Sequence, residues 1–246
     1  MNPEHRALLA ELRTLARPTH LERHHNDSYG GSGRPFYFVS APDQRSIARR
    51  WARAHKAADP AEVLAVIESL FEGVSHEEKT LAALMLAYHA QARQAARPGD
   101  IDRWLGQLRG WAEIDSLCQN VFKTREMAAD WPGWERLINQ LSTDPNINKR
   151  RAALVLLNSP VRYSDDRRFR DLALDVIDRL KPERDILITK AVSWLLRSMI
   201  ARHRGAVERC LLEQGPSLPA VAVRETRTKL LTGTKSGRGR TQTESA

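Results

Sequence analysis

Apolar residues recur at helical spacing along almost the whole chain, and no stretch longer than a few residues alternates with a period of two. The pattern predicts an all-α fold. Leu8, Leu9, Leu12 and Leu15 mark a first helix that ends near Arg17-Pro18. Asp43 reads as the N-cap of a helix running to about Ala57, and Asp59-Pro60 opens the next, with proline where its missing N–H is no loss. Ser75-His76-Glu77-Glu78 is a capping box that starts a helix through Ala95. Further helices are predicted from Pro98 to about Arg109, Trp111 to Phe122, Trp134 to Leu141 and Ile147 to Leu157. Ser164-Asp165-Asp166 caps one to Leu180, Pro182 starts one to about His203, and a short helix to Glu213 precedes a last from Pro219 to Leu230. Trp131-Pro132-Gly133-Trp134 reads as a packed turn.

The helices arrive in pairs. One polar landmark early in the second member of each pair gives Arg45, Glu77, Asp115, Arg151, Lys190 and Arg224, roughly 32 to 39 residues apart, close to the period of HEAT and armadillo repeats. Such pairs stack into a HEAT/armadillo-like helical-repeat solenoid, here expected to carry a concave basic face. Three regions follow: 1–36, an N-terminal helix and Gly-rich loop; 37–232, the repeat domain; and 233–246, a basic tail too polar to bury a core and expected to be disordered.

The length suits a chain with a buried core that needs no disulfide or metal support. Cys118 and Cys210 lie in apolar-periodic helices, which argues against a secreted disulfide scaffold. No stretch approaches the eighteen or so apolar residues of a membrane helix, and the N-terminus has no leader-like apolar region, so a soluble cytoplasmic protein is expected. Charge changes the picture further: 39 Lys+Arg against 30 Asp+Glu leave +9. That excess favours a polyanionic partner, because each neutralised phosphate releases counterion. Part of it sits in Lys235-Ser236-Gly237-Arg238-Gly239-Arg240, but arginine dominates elsewhere and suits bidentate phosphate contact.

Four segments concentrate the candidate chemistry. Gly110-Trp111-Ala112-Glu113-Ile114-Asp115 sets Trp111 and Asp115 four apart, on one helix face. Asn148-Lys149-Arg150-Arg151 places cations at a helix start; Lys190, Trp194 and Arg197 share a face; and Val221 to Leu230 closes the array. In this order and spacing, from about Tyr37 to Leu231, they resemble the DNA alkylation repair family of HEAT-like-repeat glycosylases. Phe38-Val39-Ser40-Ala41-Pro42-Asp43-Gln44-Arg45 resembles the family's entry into its first repeat. The resemblance implies that Asp115 is the catalytic carboxylate, that Trp111 and Trp194 are aromatic walls beside the lesion, and that Arg151 and Arg197 contact the DNA backbone, with Arg150, Lys190 and Arg45 as further DNA-binding candidates. It also implies action on duplex DNA with alkylated bases, held on the concave face without a deep base pocket. The chain departs from the family at Ile147, where an aromatic is common, and in the Gly-rich segment before Tyr37.

These residue types suit that chemistry. A purine alkylated at N3 or N7 is cationic, so its glycosidic bond is already weak and positive charge develops on the sugar as the base departs. A fixed carboxylate stabilises that charge, and indole faces attract cations. By periodicity alone Trp194 reads as a core residue and Asp115 as a solvated or capping carboxylate; the resemblance reverses both. Two other classes remain: a non-catalytic solenoid that binds distorted or branched DNA, and a protein-binding scaffold. No metal or other cofactor is expected. His20, His24, His25 and Asp27 sit in a loop without metal-ligand spacing, and Gly30-Gly31-Ser32-Gly33 lacks the Lys-Ser/Thr of a phosphate loop. A monomer without an obligate protein partner is expected.

Overall fold

The computed structural model describes residues 1–17, 32–119 and 121–237. His20, His24, His25, Asp27, the pair Gly30-Gly31 and the tail from residue 238 lie outside the described residues. The described residues form thirteen α-helices and one 3₁₀ turn, Gly215–Ser217, with no strand among them. The chain divides into two compact units, Met1–Leu156 and Leu157–Ala246, a division inside the stretch expected as one repeat domain. None of the described helices is long and apolar enough to cross a membrane.

The first unit holds α1 (Pro3–Thr14), α2 (Ala41–Ala54), α3 (Pro60–Glu72), α4 (His76–Tyr88), α5 (Ala90–Ala95), α6 (Pro98–Leu105), α7 (Gly110–Cys118), α8 (Thr124–Ala129), α9 (Trp131–Ser142) and the start of α10 (Ile147–Tyr163). At its centre α4 packs on α2, α3 and α7, and Leu81, Met85 and Leu86 are fully buried there. Its first turn is buried as well, and the chain meets the polar cost with partners. Ser75 and Glu78 close the predicted capping box, and the Glu78 carboxylate also meets His5 Nε2 of α1 at 2.7 Å. The Lys79 ammonium donates to the Phe71 carbonyl in the last turn of α3, satisfying one of the acceptors a helix end leaves open. Burial, aided by the nearby Arg34, brings the pKa of Lys79 down to about 8.

Local chemistry places most helix starts where the sequence predicts them, with corrections. Asp59 caps α3 and Pro60 is its first residue, as read. At α2 the cap is Ser40, whose hydroxyl accepts from the Asp43 N–H; Asp43 is three residues inside. The helix predicted through Ala95 breaks at His89, whose Nδ1 accepts from the Ala92 N–H and starts α5. Trp131-Pro132-Gly133-Trp134 is the first turn of α9 rather than a loop: proline fits there, and both indoles are buried, Trp134 edge-on to Phe122.

In the second unit, the rest of α10 is followed by α11 (Arg167–Leu180), α12 (Ile186–Gln214) and α13 (Ala220–Thr232), with α12 packed on both α11 and α13. Sequence periodicity divides α12 near His203, and the backbone there leaves helical geometry (φ −129°, ψ 37°). The Asn158 side-chain oxygen of α10 accepts from the Ser198 hydroxyl of α12 at 2.7 Å, a buried bond joining the two helices.

Candidate active site and nucleic-acid interface

Helix α7 begins at Gly110 with φ +69°, a left-handed conformation that glycine adopts without strain. Its N–H donates to Asn148 Oδ1 in the first turn of α10 (2.9 Å), and the Arg109 N–H donates to Glu113 Oε2 (2.9 Å). Glu113 has no exposed side-chain surface and also meets His76 Nδ1 of α4 at 3.3 Å and Arg34 Nε at 3.4 Å. The start of α7 is thus fixed from both sides, by α4 and by α10. One turn on, Trp111 and Asp115 share a face, both partly exposed.

Asp115 is gripped by Arg151. Arg151 Nε donates to Oδ1 at 3.0 Å and Nη2 to Oδ2 at 2.8 Å, the two-pronged geometry in which a guanidinium matches a carboxylate. The Asp115 side chain is 12 % exposed and that of Arg151 only 4 %. Burial raises the pKa of Asp115 above the ordinary carboxylate value, opposed by the hydrogen bonds and charge of Arg151. Cys118, on the next turn, is buried, and its thiol is pushed well up by burial and by the Asp115 charge. Two of the carboxylate's roughly four lone-pair sites are engaged by the guanidinium, which leaves acceptor capacity on the same oxygens.

The other cations of that segment also have acceptors within the protein. Lys149 Nζ lies 2.7 Å from Asp102 and 3.5 Å from Asp144, and Arg150 Nη1 donates to the carbonyls of Asp144 (2.8 Å) and Pro145 (2.9 Å). The structure therefore places Lys149, Arg150 and Arg151, read from sequence as one basic cluster, each against an acceptor of the first unit. Arg45 is exposed on α2.

Lys190, Trp194 and Arg197 lie on α12 in the second unit, where all three are partly exposed. Arg197 Nε donates to the Ser193 carbonyl at 3.1 Å. Sequence reasoning missed the residue that joins the two cations: Glu225 of α13, buried, accepts from the Ser193 hydroxyl at 2.6 Å and lies 3.5 Å from both Lys190 Nζ and Arg197 Nε. Burial raises the Glu225 pKa, but the Ser193 hydroxyl and the cations Lys235, Arg197 and Lys190 outweigh it and hold the carboxyl below its ordinary value. A signal was available. Lys190 and Glu225 are 35 residues apart and Asp115 and Arg151 are 36 apart, each close to one repeat. A search for opposite charges at that period finds both.

The sequence model of one protein family, described as DNA alkylation repair enzyme, matches residues 6–230. Among solved structures, one described as a predicted DNA alkylation repair enzyme from Enterococcus faecalis is similar over 93 % of this chain and 96 % of its own, with a TM-score of 0.67 and 18 % sequence identity. The curated proteins contain no match.

Proposed function

Because this chain belongs to the DNA alkylation repair enzyme family, we propose that it is a monofunctional DNA glycosylase that hydrolyses the N-glycosidic bond of cationic alkylated purines, N3-alkyladenine or N7-alkylguanine, in duplex DNA without flipping the base. The observation that carries this reading is the Asp115 carboxylate, largely buried and oriented by the two-pronged bond from Arg151, one turn from the indole of Trp111.

In this reading Asp115 faces the deoxyribose. As the bond from C1′ to the base nitrogen breaks, the electron pair leaves with the base, which departs neutral, and the sugar becomes oxocarbenium-like. A carboxylate about 4 Å away at an effective dielectric near 20 attracts that charge by about 4 kcal/mol. Arg151 fixes the carboxylate beforehand, so little reorganisation accompanies the reaction. Asp115 also accepts a hydrogen bond from the attacking water, whose oxygen bonds to C1′ while its proton passes to solvent, leaving an abasic site. Trp111 supplies an indole face worth about 0.5 to 2 kcal/mol toward a cation, so the lesion's own charge selects it over normal bases. Arg197, Lys190, Arg150 and Arg45 serve the phosphate backbone. Arg151, first read as a backbone contact, acts here chiefly as the holder of Asp115.

The test is release of free base from methylated duplex DNA. Asp115→Asn should lower excision by about 10²- to 10³-fold, the cost of removing one preorganised electrostatic group, while duplex binding is retained. Wild-type-like excision by this variant would remove Asp115 from the chemistry. Binding without excision by the wild type would return the protein to the DNA-binding class.

A further inference from the structure

We propose that Glu225 organises Lys190, Arg197 and Lys235 into a phosphodiester-binding cluster, and that Lys235, beyond the last helix, is a DNA-backbone contact. The inference rests on the DNA-directed reading of the protein but not on its catalytic step.

Lys235 comes from the stretch expected to be a disordered tail, yet its ammonium lies 3.4 Å from Glu225 Oε1. The turn that brings it there is built by the end of α13. Gly233 takes a left-handed conformation (φ +75°), its N–H closes on the Lys229 carbonyl at 2.9 Å, and the Thr234 N–H donates to the Thr232 hydroxyl at 3.3 Å. The chain folds back toward Glu225, two turns earlier on the same helix.

Glu225 is then one carboxylate among three cations, so the cluster carries excess positive charge. Side-chain exposure is graded, from 9 % at Glu225 and 14 % at Arg197 to 32 % at Lys190 and 52 % at Lys235. The carboxylate forms the floor and the ammonium groups the rim. Among the described residues, the short bond to Glu225 comes from the Ser193 hydroxyl; the three cations stand at 3.4 to 3.5 Å, longer than the 2.7 to 2.9 Å of a charge-assisted bond. They are held near by charge while keeping donor capacity for a further anion, as an ammonium with three N–H groups can. Lys229, which donates to the Arg197 carbonyl at 2.9 Å, has its pKa lowered by burial and then by Arg197 and Arg162, which agrees with an excess of positive potential around the cluster. Lys190 and Arg197 also flank Trp194 on α12, at spacings that share its helix face. A phosphodiester bound there would fix the backbone beside that indole.

Affinity of the full-length protein for undamaged duplex DNA, measured across a salt series, tests this. Lys235→Ala should weaken binding and make the slope of log affinity against log salt shallower by about 0.9, one phosphate contact, whereas Lys235→Arg keeps it. Glu225→Gln adds a net positive charge, so charge counting alone demands tighter binding; loss of positioning demands weaker binding, which is the result expected. A wild-type slope for Lys235→Ala, or tighter binding by Glu225→Gln, overturns the proposal. Should Glu225→Gln fail to fold in a thermal melt, Lys235→Ala decides alone, because that side chain is half exposed. Excision measured on the same preparations separates the two readings. A Lys235-dependent slope with no excision by the wild type ends the glycosylase reading and leaves this one standing; no binding by the wild type even at low salt ends both.

Discussion

At the residue scale, the pairing of Asp115 with Arg151 sets two opposed influences on one carboxyl group: burial pushes its pKa up and the guanidinium pulls it down. A group that must be ionised to stabilise a cationic sugar loses its function as pH falls through its pKa. The acid limb of excision should therefore lie above the ordinary carboxylate range, since the net direction is upward. Arg151→Gln removes the lowering influence and should move that limb further toward neutral pH. A pH–rate profile under single-turnover conditions checks this, and a limb that stays in place would detach Arg151 from the ionisation of Asp115. Such an effect is distinct from a simple loss of backbone contact, which lowers affinity across the whole pH range.

At the scale of the element, the first turn of α4 concentrates buried charge. Burial raises the pKa of Glu78, but hydrogen bonds from His5 and Ser75 outweigh it and bring it to about 2. The sign follows directly. A carboxylate whose folded pKa lies below its unfolded one contributes stability above the unfolded value, near 4.5, and loses it as pH falls toward 2. Glu78 should account for a drop of order 2 kcal/mol across that window. In Glu78→Gln the drop should be absent, and neutral-pH stability should already be lower by about 1 to 3 kcal/mol because the cap and the His5 contact are weakened. Urea titrations at pH 7 and pH 3 measure both quantities. How legible an element was depended on whether its signal was local. The Ser75–Glu78 box and the Asp59-Pro60 start are encoded within a few residues, and the sequence reveals them. The Ser40 cap of α2 was misplaced by three residues because Ser40 and Asp43 are both good caps and the choice depends on where the chain leaves Val39. The break at His89 was invisible, because its ring nitrogen replaces a backbone partner and its Nε2 reaches the His55 carbonyl, 34 residues away.

At the scale of the molecule, helical-repeat arrays derive stability from each repeat and from its nearest neighbours, so damage in one unit need not spread at full strength to the other. Five of the six tryptophans, Trp51, Trp104, Trp111, Trp131 and Trp134, lie in the first unit and only Trp194 in the second. Ile177, fully buried in α11, tests the coupling. Ile177→Ala should cost about 2 to 5 kcal/mol in the second unit. The far-UV circular dichroism transition should then broaden and begin at lower urea, while the tryptophan fluorescence midpoint moves less. Coincident shifts would mean that the two units unfold as one. The all-helical fold and its pairing were legible because the 3.6-residue pattern and the repeat period are global features of the sequence. The cation-to-carboxylate contacts were less so. Asn148-Lys149-Arg150-Arg151 reads as a surface for anions, and only the positions of Asp102, Asp144 and Asp115 show that two of these cations pair with carboxylates while Arg150 holds backbone carbonyls.

The two-pronged bond between Asp115 and Arg151 also bears on how such a chain can change over generations. Repeat proteins lengthen and shorten by duplicating or deleting whole units, and most junctions between units tolerate it, since one apolar face resembles another. The junction between α7 and α10 does not. A unit copied into it would carry Arg151 away from Asp115 and the Asn148 side chain away from Gly110. The spacing between these two helices is held by that ion pair together with the hydrogen bond from Gly110 to Asn148.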